Sequence, residues 1–411
     1  MNKYVIIGNS AAGIGAVEGI RQKDKTGEIT IISNEAYHTY SRPLISYLLL
    51  GKTDEQKMKY RNDKFYKENK CKTLFSSNVT KVDEKAKTVT LDDNSVIPYD
   101  KLLVATGSSP FVPPFEGLDT VKNKFTFMTL ADAKGLEKAL TPDARVLIVG
   151  AGLIGLKCAE GIQKSVKSIS VVDLAPRILS SILDEKGAEI VKSHIEKKGI
   201  EFHLGESVKS FSSNKAVLES GKSIDFDILV LAVGVRPNTS LLKDIGGNVN
   251  RGILVDDCMQ TSIKDVYSAG DCTESLDISS DQPKVLALLP NAYIQGECAG
   301  MNMAGEKTSF NKAIPMNAIG FFGLHIITAG TYEGDSYIEC QDELTYKILF
   351  YSNDLLKGYI LVGEFDKAGI YTSLIREKTP LSTIDFELIC KNPSLMAFSK
   401  KDRDEKLGGA N

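Results

Sequence analysis

Two short glycine turns carry the clearest chemistry in this sequence. The first is Gly8-Asn9-Ser10-Ala11-Ala12-Gly13, the second Gly150-Ala151-Gly152-Leu153-Ile154-Gly155. In a turn of this kind the first glycine permits a tight bend and the second lets backbone approach a pyrophosphate. The third lets helix and strand pack closely. The helix that follows supplies free N–H groups and partial positive charge to the phosphates. An acidic residue about twenty positions on accepts from a ribose hydroxyl. Glu35 lies 22 residues after Gly13, and Asp173 lies 18 after Gly155. The second turn is G-x-G-x-x-G in full, whereas the first carries Ser10 in place of the middle glycine, still small enough to leave the backbone accessible. A lone turn of this type is often an ordinary βα connection. Two, each with strand, helix and acid, point to two dinucleotide sites.

The elements that must position these turns are legible around them. The apolar runs Tyr4 to Ile7 and Val146 to Val149 lead in, and helical patterning follows to about Lys23 and Lys164. Second strands, Ile29 to Ile32 and Ile169 to Val172, close each β–turn–α–β unit, as a parallel sheet requires. Proline-rich stretches, Ser108 to Pro114 after the strand Lys101 to Ala105 and Val235 to Asn238 after Ile228 to Val233, read as an outward and a return crossover. From Asp265 the run D-V-Y-S-A-G-D-C reads as one more buried strand end of the first domain. After Phe310 the pattern changes to short strand-like runs, Tyr346 to Tyr351 and Gly358 to Val362, of an α+β domain. The expected fold is therefore α/β, with two Rossmann-like dinucleotide-binding domains and a C-terminal α+β interface domain. Residues 1–112 and 246–310 form the first domain, 113–245 the second and 311–390 the third, with 391–411 a polar, frayed tail. The apolar stretch Ala313 to Gly330 contains Pro315, Asn317 and His325, and is expected as a bent buried strand, not a membrane span.

Composition removes several classes of function. The 411 residues, 42% hydrophobic and 25% charged, suit two or three globular cores. Fifty Lys+Arg against 53 Asp+Glu give a net charge of −3, with no polybasic run to favour nucleic acid or an anionic membrane. The seven cysteines, at 71, 158, 258, 272, 298, 340 and 390, come no closer than 14 residues, which excludes C-x-x-C pairs and local iron–sulfur or zinc runs. The N-terminus, Met1-Asn2-Lys3 before four apolar residues, lacks the shape of a signal peptide, so a reduced cytoplasm is expected.

Five motifs occur in an order that resembles a known superfamily: Tyr40-Ser41-Arg42-Pro43, Ala105-Thr106-Gly107, Gly150 to Gly155, Ala232 to Pro237, and Ser268-Ala269-Gly270-Asp271. Over residues 1 to 390 the chain resembles the FAD-dependent pyridine nucleotide-disulfide oxidoreductases. The resemblance implies FAD in the first unit and NAD(P)H in the second. Carried over residue by residue, it implies that Gly8, Ser10, Ala12 and Gly13 hold the FAD pyrophosphate. Glu35, with Asn34 as its nearest rival, then binds the ribose, and Arg42 lies near the phosphates or flavin edge. Val79 is placed near the adenine, Ala105, Thr106 and Gly107 under the cofactor, and Gly270 with Asp271 at the ribityl chain or pyrophosphate. A helix cap is the plainer role for Asp271 alone. For the nicotinamide dinucleotide the matching residues are Gly150, Gly152, Ile154, Gly155, Asp173, Arg177 and Gly234. Asp173 favours NADH by repelling a 2′-phosphate, while Arg177 tempers that preference because it could meet one.

The family's thiols are missing. No C-x-x-x-x-C pair occurs, and Pro43 stands where single-cysteine relatives carry their thiol. A flavin with no second redox group in the chain suits transfer between NADH and an external one-electron carrier. Y-S-R-P-L-I-S-Y-L and I-P-M-N-A-I-G-F-F-G resemble the branch of NADH:rubredoxin reductases, nitrite reductase flavin domains and ferredoxin-linked flavin subunits. The expected activity is thus an NADH:iron–sulfur-protein oxidoreductase with a rubredoxin or ferredoxin-like partner. An NADH oxidase acting on oxygen and a redox-sensing protein resembling apoptosis-inducing factors are the alternatives. Many relatives carry Glu where this chain has Lys157, paired with a Lys where it has Tyr47. One expectation is that Lys157 acts catalytically by placing positive charge beside reduced flavin. The plainer one is an i, i+3 pair with Glu160. The C-terminal domain is expected at a homodimer or hetero-complex interface, although its apolar I-G-F-F-G-L could equally be core.

Overall fold

The structure is a computed structural model that describes residues 1–340, 342–363 and 366–399. In the first unit, β1 (Lys3–Ile7) leads through the glycine turn into α1 (Ala11–Lys23), followed by β2 (Glu28–Ile32), the short α2 (Ile45–Leu49), β3 (Cys71–Leu74) and β4 (Lys101–Val104). The second unit contains α3 (Leu130–Ala139), β5 (Arg145–Val149), α4 (Leu153–Ile162), β6 (Ser168–Asp173), α5 (Glu185–Glu196), β7 (Ile200–Leu204) and β8 (Ile228–Leu231). The chain then returns to the first unit with β9 (Val266–Ser268) and α6 (Leu289–Met303). The third unit follows: β10 (Met316–Phe321), β11 (Leu324–Gly330), β12 (Asp335–Cys340), β13 (Tyr346–Ser352), β14 (Leu355–Val362) and α7 (Ala368–Arg376).

Two parallel sheets result. The first has the order β9-β4-β1-β2-β3, and the second β7-β6-β5-β8 with Lys124–Phe125 at its edge. Their central strands, YVII and VLIV, are buried throughout because helices or further strands cover both faces. In each sheet the strand order reverses beside the strand that precedes the glycine turn, where open α/β sheets form their binding crevice. The two crossovers between units pair with each other as an antiparallel ribbon, Ser108–Pro110 against Val235–Pro237.

Helices α1 and α6 pack backbone to backbone. A Cβ on Gly15 or Gly19 would lie 2.2 or 2.3 Å from a carbonyl oxygen of α6, and one on Gly296 or Gly300 2.0 or 2.3 Å from a carbonyl oxygen of α1. Only glycine permits this approach, which places the start of α1 and the Gly270 turn side by side.

The third unit is a five-stranded antiparallel sheet, β10-β11-β14-β13-β12. Side-chain alternation splits its faces. Ile326, Ile348, Ile360 and Val362 join the core shared with the second unit, whereas Ala329, Leu349, Tyr359 and Leu361 pack on α7 through Tyr371, Leu374 and Ile375. The stretch 313–330 is therefore not one bent strand. It is a hairpin, β10–β11, turning at Phe322-Gly323 with φ of +51° and +89°. Positive φ at both central residues makes a turn whose twist matches the strands, yet Phe-Gly is not a typical sequence for it. The core of this unit also continues past residue 390, since Ala397 and Phe398 are buried within it. The remainder of the expected tail, 400–411, lies outside the described residues. Among the described residues no helix is long and apolar enough to cross a membrane.

Candidate functional site

A cavity of about 590 Å³ opens along the C-terminal ends of β1, β2 and β4. Of the residues assigned to FAD from sequence, Gly8, Ser10, Ala12, Asn34, Glu35, Arg42, Val79, Ala105, Thr106, Gly107, Gly270 and Asp271 all line it. Gly13 does not. A Cβ there would sit 2.1 Å from the Gly8 carbonyl oxygen, so it serves the close approach of helix to turn. Gly8 itself (φ +128°) lies where a Cβ would meet the Ala105 carbonyl at 2.0 Å. The cavity floor is thus backbone, shaped by positions that tolerate no side chain.

The chemistry of the walls suits a dinucleotide. The first turn of α1 contains no acidic residue, and the N-cap Ser10 makes no side-chain cap, leaving amides available for phosphate. Across from it, the half-buried Asp271 carboxylate has no hydrogen-bond partner among the described residues, and partial burial pushes its pKa up although Arg42 draws it back. An acceptor so placed matches a ligand carrying hydroxyls. At the other end Glu35 pairs with the Arg42 guanidinium and accepts from the Tyr40 hydroxyl at 2.7 Å. The cavity, the free amides and the two carboxylates fit a flavin dinucleotide.

Several residues that build this site escaped the sequence reading. Tyr40 accepts from the Leu130 amide at 2.9 Å, so its hydroxyl joins Glu35 to the N-terminus of α3 in the second unit. Asn238, on the return crossover, lines the cavity and bonds Thr106 reciprocally, its Nδ2 donating to the Thr106 carbonyl at 2.9 Å and its own carbonyl accepting from Thr106 Oγ1 at 2.7 Å. Gln295 of α6, 1% exposed, accepts from the Gly270 amide at 2.8 Å and so holds the turn that presents Asp271. Motif spacing offered no sign of Gln295 or of Asn238. Tyr40 stood inside the Y-S-R-P motif without a role.

The second glycine turn repeats the same construction. A Cβ on Gly150 (φ +117°) would meet the Ala232 carbonyl at 2.2 Å and one on Gly155 the Gly150 carbonyl at 2.0 Å, while Gly152 has nothing within 4 Å. Gly152 and Gly234 (φ +113°) are thus open for a ligand to approach. Ile154 is partly buried against the shared core. The Asp173 carboxylate accepts from the Ala151 amide at 2.6 Å and the Ala175 amide at 2.7 Å, which fixes it against the turn. Arg177 donates from Nε to the Leu183 carbonyl at 3.3 Å.

Lys157, the one side chain expected to do chemistry, does not line the cavity. Its ammonium is taken up by Glu160, donates to the Gly320 carbonyl at 3.2 Å and lies 4.7 Å from the centre of the Tyr47 ring. The structure thus gives Lys157 the i, i+3 partner that its spacing allows. Among the described residues no cysteine lines that cavity either. Burial raises the Cys71 and Cys390 thiols to about 11 and Cys298 to about 12, and pushes Cys158 up further still. Such groups stay protonated near neutral pH and are poor nucleophiles.

Residues 2–296 match the family described as pyridine nucleotide-disulphide oxidoreductase. The epsilon subunit of NADH-dependent phenylglyoxylate dehydrogenase from Aromatoleum evansii is 32% identical, over 93% of each chain. A nitrite reductase [NAD(P)H] from Bacillus subtilis is 30% identical over 92% of this chain, which spans only 48% of that protein. Among solved structures, the NADH:rubredoxin oxidoreductase from Clostridium acetobutylicum superposes with a TM-score of 0.77 at 25% identity, covering 95% of this chain and 99% of that one.

Proposed function

The chain belongs to the pyridine nucleotide-disulphide oxidoreductase family, and from that premise we propose that it moves electrons between NADH and a small iron–sulfur carrier. FAD is its cofactor and NAD(H) its substrate. When bound, the flavin supplies the exchange between a hydride's electron pair and single electrons. The chain's own residues bind and orient. The amides that follow Ser10 take the FAD pyrophosphate, Glu35 the ribose, and Asp271 the hydroxylated chain leading to the flavin. The open backbone at Gly152 takes the second pyrophosphate and Asp173 the ribose 2′-hydroxyl, which favours NADH over NADPH. In this reading residues 1–112 with 246–310 are the FAD-binding domain, 113–245 the NADH-binding domain, and the third unit an interface.

One observation carries the choice of acceptor: the six cysteines whose side chains are described are free, and those with resolved shifts are all held as thiols. Pro43 occupies the position of the single-cysteine relatives' thiol, so electrons have no protein relay and leave directly for a partner. Free cysteines also suit a reducing compartment, and we place the protein in the cytoplasm. The test is anaerobic titration of the FAD-loaded protein with NADH, followed by mixing with a rubredoxin and a two-iron ferredoxin. Rapid bleaching of flavin and reduction of one carrier is expected. Rapid oxygen consumption with no carrier reduction would replace this reading with an oxidase.

A further inference from the structure

The Phe322-Gly323 turn between β10 and β11 is held from outside its own unit. Gly323 adopts its φ of +89° without cost, but Phe322 is a bulky residue at +51°, in the left-handed region. Both backbone polar groups of Phe322 are engaged by side chains of the second unit. Glu160 on α4 accepts from its amide at 2.7 Å. His194 on α5 lies with Nε2 3.2 Å from its carbonyl, and since a carbonyl only accepts, Nε2 carries the proton. Two residues earlier, the Gly320 carbonyl accepts from Lys157 at 3.2 Å.

Lys157 and Glu160 themselves form an ion pair with side chains only 12% and 9% exposed. The Lys157 ammonium lies over Tyr47 of α2 and 5.7 Å from the Phe321 ring centre. One nearly buried pair thus touches all three units. A buried pair brings little net stability, because desolvation offsets most of its Coulomb attraction. Its contribution is geometric, since an amide and a carbonyl are satisfied only at hydrogen-bond distance and direction. The helix bearing the pair begins at the glycine turn, with Gly152 as its N-cap. A shift of that helix is therefore also a shift of the turn.

We propose that Glu160 and His194 are positioning residues, with Lys157 offsetting the charge of the Glu160 carboxylate. They fasten the Phe322 turn to α4 and α5, and so hold the Gly150–Gly155 turn in place between the first and third units. The consequence for NADH rests on reading that turn as the NADH site; the fastening does not.

Two measurements on the FAD-loaded protein test it. Amide hydrogen exchange across 316–330 reads the fastening, and KM for NADH, apart from kcat, reads the positioning. Glu160→Ala should quicken exchange at the Phe322 amide by about tenfold or more and raise KM several-fold, with flavin content unchanged. The double variant Lys157→Met/Glu160→Gln removes both charges but keeps a carbonyl to accept from Phe322, and should restore slow exchange and the original KM. General damage to folding would not be rescued in this way. Unchanged exchange in Glu160→Ala, or a double variant no better than the single one, overturns the fastening. Faster exchange with an unchanged KM overturns the positioning role. Wild-type protein whose flavin NADH does not reduce sinks the NADH reading of the turn, while amide exchange still decides the fastening.

Discussion

Replacing Gly296 by alanine tests whether the α1–α6 contact builds the dinucleotide cavity. On helix propensity alone the change should stabilise, by about 1 kcal/mol. The tertiary contact argues the other way. A Cβ at 296 would sit 2.0 Å from the Ala12 carbonyl oxygen and 2.7 and 2.8 Å from its carbonyl carbon and Cα. All three are backbone atoms of the turn itself, so no flexible side chain can yield. Reaching van der Waals separation requires the helices to part by roughly 1 Å or more. Overpacking of this kind costs about 1–3 kcal/mol, and here it should reach the upper end and outweigh the propensity gain. Gly135 provides the internal control. It lies inside α3, and its Cβ would meet only the Phe125 ring, at 3.6 and 3.8 Å, an ordinary contact. Gly135→Ala should therefore raise the melting temperature, while Gly296→Ala should lower it by several degrees, each followed by thermal unfolding with excess FAD. Titration of the apoproteins with FAD should show weaker binding for Gly296→Ala alone. A Gly296→Ala protein that melts as high as wild type and binds FAD equally well would refute the idea that this contact sets the cavity floor.

Other perturbations probe the walls of the site. Burial raises the Asp271 carboxyl pKa, so its protonated form is favoured by folding at low pH, and that advantage is lost as pH rises through the folded-state value. Asp271→Asn should consequently melt higher than wild type as the apoprotein at pH 7, with the gap closing toward pH 4, while its FAD affinity falls; a pH-independent gap contradicts this. Tyr40→Phe keeps the ring but leaves the Leu130 amide and one Glu35 oxygen unpartnered, which should cost about 1–3 kcal/mol in chemical denaturation and weaken FAD binding. With its thiol raised to about 11, Cys71 should react slowly with iodoacetamide at pH 7, and Cys71→Ser should leave NADH-dependent turnover within about twofold of wild type. Loss of turnover in that variant would return a thiol to the mechanism.

How much of this was legible beforehand follows the range of the forces involved. Gly8, Gly13, Gly150 and Gly155 are readable because each answers a clash with backbone a few residues away or on the adjoining strand end, which β–turn–α spacing already implies. The missing thiols are readable because Pro43 lies inside a continuous motif. The hairpin at 313–330 was not, since Phe322 adopts a left-handed φ that its residue type disfavours, and the grip of Glu160 and His194 comes from helices more than a hundred residues away.

Lys157 shows where the division falls. Its i, i+3 spacing from Glu160 already allowed an ion pair, because helical geometry alone brings those positions together. Whether the pair faced solvent, a flavin or another unit depended on what packed over α4. That depended in turn on the third sheet burying Ile326, Ile348 and Ile360 against the second unit. The amino-acid sequence by itself determined two dinucleotide turns, their acids and the absence of a C-x-x-x-x-C pair, all set by local spacing. Only the tertiary structure decided which side chains hold the units together, because burial is a property of surfaces that meet after the chain has folded.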